Sequence, residues 1–232
     1  MSKVYGLDGF CGGGGATAGY VRAARKLGID LVMIGVDHHP HEKSYLKAGG
    51  SKFIRGDMME VFQDEDFMSI FDFVHISPSC QKHSALSRMA KNTDGQLDLI
   101  TPSREYFWRY DTKWIMENVE GSPLIDPLML CGSMFEGLVA NDPRRQLRRH
   151  RLFEIVGFEV EQPPCAHNGF KSMGVYGAIG RKPPNGADVV ESLEEGRKIM
   201  GVDWPMSWKE LREAIPPAYT EYIGMSLLPK VQ

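Results

Sequence analysis

Short apolar runs alternate with amphipathic stretches through the first half of the chain, and the alternation predicts strands and helices in turn. Val4 to Leu7 reads as a first strand and Ala16 to Leu27 as the helix after it. Leu31 to Val36 is the next strand, Glu42 to Ala48 a helix, Lys52 to Ile54 a short strand, and Phe71 to Ile76 a strand again. Pro102 beside Ser103 marks a helix start, because proline lacks an N–H that the first turn leaves unpaired. A helix from Ser103 to Tyr110 then feeds a strand from Lys113 to Met116. Strands separated by helices pack as a parallel sheet, so the expected fold is α/β, a Rossmann-like doubly wound sheet.

The pattern changes after Glu120. Ser122 to Asp142 is loop-rich, and Leu152 to Val156 looks like a strand. Gln162 to Asp188, with Gly174, Gly177, Gly180, Pro183, Pro184 and Gly186, is too broken for long elements. Glu191 to Met200 and Ser207 to Ala214 read as helices, and Pro217 opens a last helix through Leu228.

Composition narrows the picture. A length of 232 residues with 42% hydrophobic content fits one globular domain with an ample core. With 27 basic and 30 acidic residues the net charge is -3, so affinity for nucleic acid requires a local patch. Arg144, Arg145, Arg148, Arg149, His150 and Arg151 supply one within eight positions. No apolar run approaches the ~20 residues that span a bilayer. The start Met1-Ser2-Lys3 leads straight into a strand, so a cytoplasmic protein with no membrane partner is expected. Four cysteines, at 11, 80, 131 and 165, have no pairwise spacing typical of zinc sites, and reducing surroundings argue against disulfides. They read as individual thiols, with no metal expected.

Cys80, in Ser77-Pro78-Ser79-Cys80-Gln81, follows an apolar strand, where open α/β sheets place ligands, and proline stiffens the exit. A thiol there is a candidate nucleophile; its bland alternative is a buried, inert cysteine. The loop Asp8 to Gly19 puts Gly13, Gly15 and Ala18 at the dinucleotide-binding spacing directly after the first strand. Asp37 closes the second strand, placed to accept hydrogen bonds from ribose hydroxyls. The glycine pattern does not choose between nicotinamide and S-adenosylmethionine. Asp57 either accepts from an adenine amino group or caps a helix, and His38 is placed to pack on adenine. His38, His39 and His41 lack the carboxylate or Cys pattern of a metal site and read as solvated.

Glu117, preceded by Trp114, Ile115 and Met116, emerges from an apolar strand, where desolvation raises a carboxyl pKa and lets it hold a proton. Arg149 and Arg151 alternate, which on a strand projects two guanidinium forks to one face.

Taken in order, these segments resemble the DNA cytosine-5 methyltransferase family. Asp8 to Gly15 is similar to its cofactor loop and Ser77 to Gln81 to its Pro-Cys-Gln nucleophile motif. Glu117 to Val119 resembles its Glu-Asn-Val motif, Arg149 to Phe153 its paired-arginine motif, and Pro217 to Gly224 its closing helix. The resemblance covers residues 4 to 160 and 204 to 228. It implies a class I adenosylmethionine-dependent fold and a covalent mechanism. Cys80 adds to cytosine C6, Glu117 hydrogen-bonds N3 and the exocyclic amine, and Arg151 with Arg149 contacts O2. By the same resemblance Phe10, Gly12, Gly13, Asp37, His38, Asp57, Met58 and Ser226 line the S-adenosylmethionine site. The partner is DNA with the target cytosine flipped from the stack.

The resemblance divides the chain into a catalytic and cofactor-binding part over 1–156, a reduced, irregular recognition segment over 157–203, and a returning C-terminal helix over 204–232. So short a segment is similar to the compact phage and prophage enzymes and implies a short or relaxed target site; separately, the protein is expected to be a monomer. Departures from the family are Ser79 for a second proline, Leu147 for a glutamine, and Met225 for an asparagine. The reduced recognition segment and the near-neutral charge leave open C5 methylation of cytosine in a free nucleotide or single strand, and the departures leave open a catalytically weak binding module. A nicotinamide oxidoreductase leaves Cys80 and the arginines unexplained.

Overall fold

The computed structural model of the chain describes residues 3–79, 98–138, 144–165, 167, 171–181 and 188–232. Its central sheet contains β1 (Val4–Gly9), β2 (Leu31–Asp37), β3 (Lys52–Arg55), β4 (Phe73–Ile76), β5 (Lys113–Asn118), β6 (Leu128–Leu130) and β8 (Arg151–Val156). The spatial order is β3-β2-β1-β4-β5-β8-β6, with β1 to β5 parallel, β8 antiparallel to β5 and β6 antiparallel to β8. This is the expected α/β, Rossmann-like doubly wound sheet. Its order reverses between β1 and β4, the crevice where such sheets take their ligands.

Strand alternation sends neighbouring side chains into two cores. Phe73 and Ile115 face one core, with Tyr20, Phe153, Tyr219 and Leu227. Val74, Ile76, Trp114 and Met116 face the other, with Leu7, Phe62 and Phe107. The first is roofed by helices α1 (Gly15–Leu27) and α8 (Pro217–Leu227); short helices α2 (Glu42–Lys47), α3 (Met58–Val61) and α4 (Glu65–Met68), then α5 (Ile100–Phe107), precede the later strands. Helices α1 and α8 touch at Gly19, where a Cβ would collide with the Thr220 side chain and the Pro217 carbonyl. Thr220 Oγ1 donates to the Ala16 carbonyl at 2.8 Å across that contact.

Helix α5 begins at Ile100, three residues before the expected start at Ser103. Asp98 Oδ1 accepts from the Ile100 N–H at 3.0 Å, which places the start upstream. Pro102 still falls in the first turn, where a missing N–H costs nothing. The expected loop over 122–142 contains β6 and a 3-10 turn at Gly132–Met134. A second, parallel sheet joins β10 (Asp188–Val189), β9 (Lys171–Gly174) and β7 (Arg145–Leu147). Elements of two to four residues leave little periodicity to read. Leu147 is fully buried in β7, an apolar setting for a position where the resemblance anticipates glutamine.

Helices α6 (Leu193–Met200) and α7 (Trp208–Glu213) start on serine caps. Ser207 and Glu210 form a reciprocal capping box, with the Ser207 N–H donating to Glu210 Oε2 at 2.7 Å. Among the described residues no helix is long and apolar enough to cross a membrane.

Candidate active site

Strand register assembles the site. Gly9 pairs with both Val36 and Ile76, and Ile76 pairs with Met116. The next residue on each strand therefore stands at one level: Phe10, Asp37, Ser77 and Glu117. All four line a cavity of about 370 Å³ at the carboxyl ends of the strands, with Gly12, Gly13, His38, Ser79, Asn118 and Arg151.

One end of the cavity is the glycine loop. Phe10 takes a φ of 56° and Gly12 a φ of 48°. A left-handed phenylalanine is strained, a condition that concentrates at functional sites. The missing Cβ of Gly12 meets no atom within 4 Å, so the backbone is open to close approach. Gly12 N–H donates to Asp37 Oδ2 at 2.9 Å and His39 N–H to Oδ1 at 2.8 Å, which fixes the carboxylate at the rim. A carboxylate has about four lone-pair sites, so acceptor capacity remains there. Beneath the loop Asp8 accepts from Thr17 Oγ1 at 2.6 Å while its Oδ1, fully buried, has no partner. Burial pushes the Asp8 carboxyl up to about 7 against the hydrogen bonds from Thr17, and nearby Asp37 adds to the rise. The C-terminal segment clasps the same loop, with Trp204 Nε1 donating to the Gly13 carbonyl at 3.0 Å.

The other end holds Glu117 and Arg151. Arg151 Nε lies 3.0 Å from Glu117 Oε1, and both side chains are largely buried. Burial raises the Glu117 pKa; Arg151, Arg149 and a hydrogen bond from Ser77 oppose the rise. Behind them runs a buried relay. Tyr20 Oη is 2.9 Å from His75 Nδ1, and His75 Nε2 is 3.2 Å from Ser77 Oγ. Burial alone pulls His75 down to about 3, so the ring is neutral and serves as a spacer in the hydrogen-bond chain.

Asn118 ties the end of β5 to the exit of β4. Its Nδ2 donates to the Pro78 carbonyl at 3.0 Å, while Oδ1 accepts from the Val119 N–H at 2.9 Å and Ser122 Oγ at 2.6 Å. Cys80 lies outside the described residues, two positions beyond the carbonyl that Asn118 holds.

Several sequence expectations change. Arg149 precedes β8 instead of alternating with Arg151 along it, and its guanidinium turns inward. It donates to the carbonyls of Val175 at 3.2 Å, Arg212 at 2.7 Å and Ala214 at 3.0 Å, and it does not line the cavity. Asp57 caps α3, accepting from the Met59 N–H at 2.9 Å. Met58 is buried against Gly9, and Ser226 lies on α8; none of the three lines the cavity. His41 is not solvated: its Nδ1 lies 3.0 Å from Glu210 Oε1. Sequence reading missed the wall formed by Lys209, Glu210, Arg212 and Ile215, which a strand-by-strand scan does not reach. Cys131 and Cys165 are also not individual thiols, since each faces histidine nitrogens within 3.7 Å.

No protein-family model and no curated protein matches the sequence. Solved structures share the fold. The S. pombe Dnmt2 methyltransferase superposes with a TM-score of 0.60 at 13% identity, over 99% of each chain. The Entamoeba histolytica methyltransferase EhMeth gives 0.57 at 12% identity over 100% of each chain. A Spodoptera frugiperda DNMT2 variant gives 0.53 at 12% identity over 99% of each. The chain thus has the class I Rossmann-like fold of these methyltransferases.

Proposed function

We propose that this protein transfers a methyl group from S-adenosylmethionine to C5 of cytosine in DNA through a covalent adduct of Cys80. The observation that carries the reading is the Glu117–Arg151 pair, set at one level with the glycine loop and with the Ser77–Ser79 exit that leads to Cys80.

The glycine loop fits the cofactor. Gly12 presents backbone with room for a ligand, Asp37 retains acceptor capacity for ribose hydroxyls, and the orphaned Asp8 Oδ1 offers a carboxyl beneath. Phe10 and His38 supply apolar and aromatic surface. When bound, S-adenosylmethionine supplies the electrophilic methyl group.

The remaining chemistry belongs to the chain. Cytosine C5 is a poor nucleophile until the Cys80 thiolate adds to C6 and gives the ring enamine character. Glu117, biased by burial toward holding its proton, donates to N3 and accepts from the exocyclic amine. Arg151 orients the base through O2 and keeps the neighbouring carboxyl in register. After transfer, a base removes the C5 proton, the C5–C6 double bond re-forms and the Cys80 sulfur leaves. A duplex base reaches a cavity at the strand ends only after it leaves the helical stack.

The test is a denaturant-stable adduct with DNA containing 5-fluorocytosine, whose fluorine cannot be eliminated as a proton is. The adduct is expected with wild-type protein and cofactor and absent in Cys80→Ala. Labelled methyl transfer to duplex DNA, single strands, RNA and dCMP, run in parallel, identifies the substrate. Transfer confined to RNA or to a free nucleotide would overturn the DNA assignment, and no Cys80-dependent adduct on any cytosine would overturn the mechanism.

A further inference from the structure

Outside the cavity, four soft or borderline ligand atoms converge from three chain segments. Cys131 follows β6 and His150 precedes β8, and these strands pair with Leu130 opposite Arg151. The next position outward on each strand therefore sets Cys131 beside His150. Cys165 and His167, on the way from β8 to β9, close over this pair. Cys165 Sγ lies 3.2 Å from His167 Nε2 and 3.7 Å from His150 Nε2. The two Nε2 atoms are 3.3 Å apart, and Cys131 Sγ is 3.4 Å from His167 Nε2. All four ligand atoms lie within 4.8 Å of one another.

We propose that Cys131, His150, Cys165 and His167 bind a structural zinc ion. A tetrahedron with Zn–S of about 2.3 Å and Zn–N of about 2.05 Å has S···N edges of about 3.6 Å and an N···N edge of about 3.3 Å. The observed separations of 3.2 to 3.7 Å reproduce those edges with no cation in place. Two imidazole nitrogens and two sulfurs satisfy one another poorly as hydrogen-bond partners, because thiols are weak donors. One shared cation satisfies all four. A closed two-sulfur, two-nitrogen donor set suits zinc and leaves no position for substrate, which makes the role structural.

The surroundings fit as well. Glu120 Oε1 lies 3.0 Å from His150 Nδ1, the carboxylate–histidine arrangement that fixes the ring and presents Nε2 to a metal. Ser133 Oγ, 3.6 Å from Cys165 Sγ, supplies a hydrogen bond at a sulfur.

The ion would knot the edge of the main sheet to the chain that enters the second sheet. It would also sit beside the proposed active site. The carbonyl of His150 accepts from Arg151 Nη1 at 2.8 Å, so a fixed His150 holds the backbone from which Arg151 reaches Glu117. The site itself stands independently of the methyl-transfer reading.

Elemental analysis of full-length protein purified without chelator tests the proposal. About one zinc per chain is expected, and the Cys165→Ser/His167→Ala double variant should lose it while keeping its circular dichroism. Cobalt(II) exchanged into the wild type should give intense visible bands of tetrahedral geometry with thiolate-to-metal charge transfer in the near ultraviolet. Zinc removal should lower Tm, and re-addition should restore it. Folded wild-type protein that holds less than about a tenth of an equivalent after zinc reconstitution would overturn the site. So would zinc retained by the double variant, a Cys131–Cys165 disulfide in the metal-free protein as purified, or iron or copper in place of zinc.

Discussion

Asn118 Nδ2 donates to the Pro78 carbonyl at 3.0 Å, and through that one bond β5 controls the exit of β4. Asn118 is fully buried and its Oδ1 is held by Val119 and Ser122, so the amide has a fixed orientation. Two residues after Pro78 the chain reaches Cys80, the nucleophile of the proposed mechanism, and a reacting group is sensitive to displacements of about 1 Å.

Asn118→Ala should therefore lower kcat by about 100-fold while leaving cofactor affinity nearly unchanged. Steady-state methyl transfer and calorimetric titration with cofactor check the split. An equal loss in both would mean that Asn118 supports the whole pocket.

Arg149 and Arg151, adjacent but for one residue, should respond in opposite ways. Arg151 reaches Glu117 in the cavity, whereas Arg149 satisfies three backbone carbonyls from two distant segments. Arg151→Ala should abolish methyl transfer at a smaller cost in Tm, because Glu117, left without its partner at the cavity wall, can take up a proton. Arg149→Met leaves carbonyls without donors and should cost about 2–4 kcal/mol of stability, read as a lower denaturant midpoint. Tyr219, which donates to the Arg149 carbonyl at 2.6 Å, belongs to the same buried brace.

That contrast shows what a sequence can and cannot carry. The apolar runs locate β1, β2, β4 and β5, and the parallel register of the folded sheet then brings Phe10, Asp37, Ser77 and Glu117 to one level. Arg149 departs from the expected alternation because β8 begins two residues later, so the alternation that pairs it with Arg151 has no strand to act on. Trp204 reaches the Gly13 carbonyl across 191 residues, and no local period encodes such a contact. The Cys131–His150 approach depends on how β6 aligns with β8, a register invisible in a three-residue strand.

Arg104 and Glu154 form another pairing that only the fold creates. Nε and Nη2 of Arg104 meet the two carboxylate oxygens at 2.9 and 2.7 Å, and both side chains are buried. The Ile125 N–H and the Pro123 carbonyl complete the set at 2.9 and 2.8 Å. Arg104→Met leaves a buried carboxylate uncompensated and should destabilise by about 3–5 kcal/mol. The double variant Arg104→Met/Glu154→Leu should recover part of that loss. Urea midpoints of the three proteins measure the coupling directly.

Asp8 makes ligand binding and folding pH-dependent with a definite sign. Its carboxyl titrates near 7 in the folded protein against 3.8 for the ordinary side chain, because burial disfavours the charged form. Between these values the folded state binds the extra proton, so stability should fall as pH rises from about 4 to about 7 and then level off. The span corresponds to a contribution on the order of 4 kcal/mol, which Asp8→Asn should remove from the pH profile. A cationic ligand in the cavity favours the carboxylate and should expel up to about half a proton at pH 7. Calorimetric titration with S-adenosylmethionine in two buffers of different ionisation enthalpy should therefore give different heats for the wild type and equal heats for Asp8→Asn. Equal heats for both proteins would place the cation beyond the reach of Asp8.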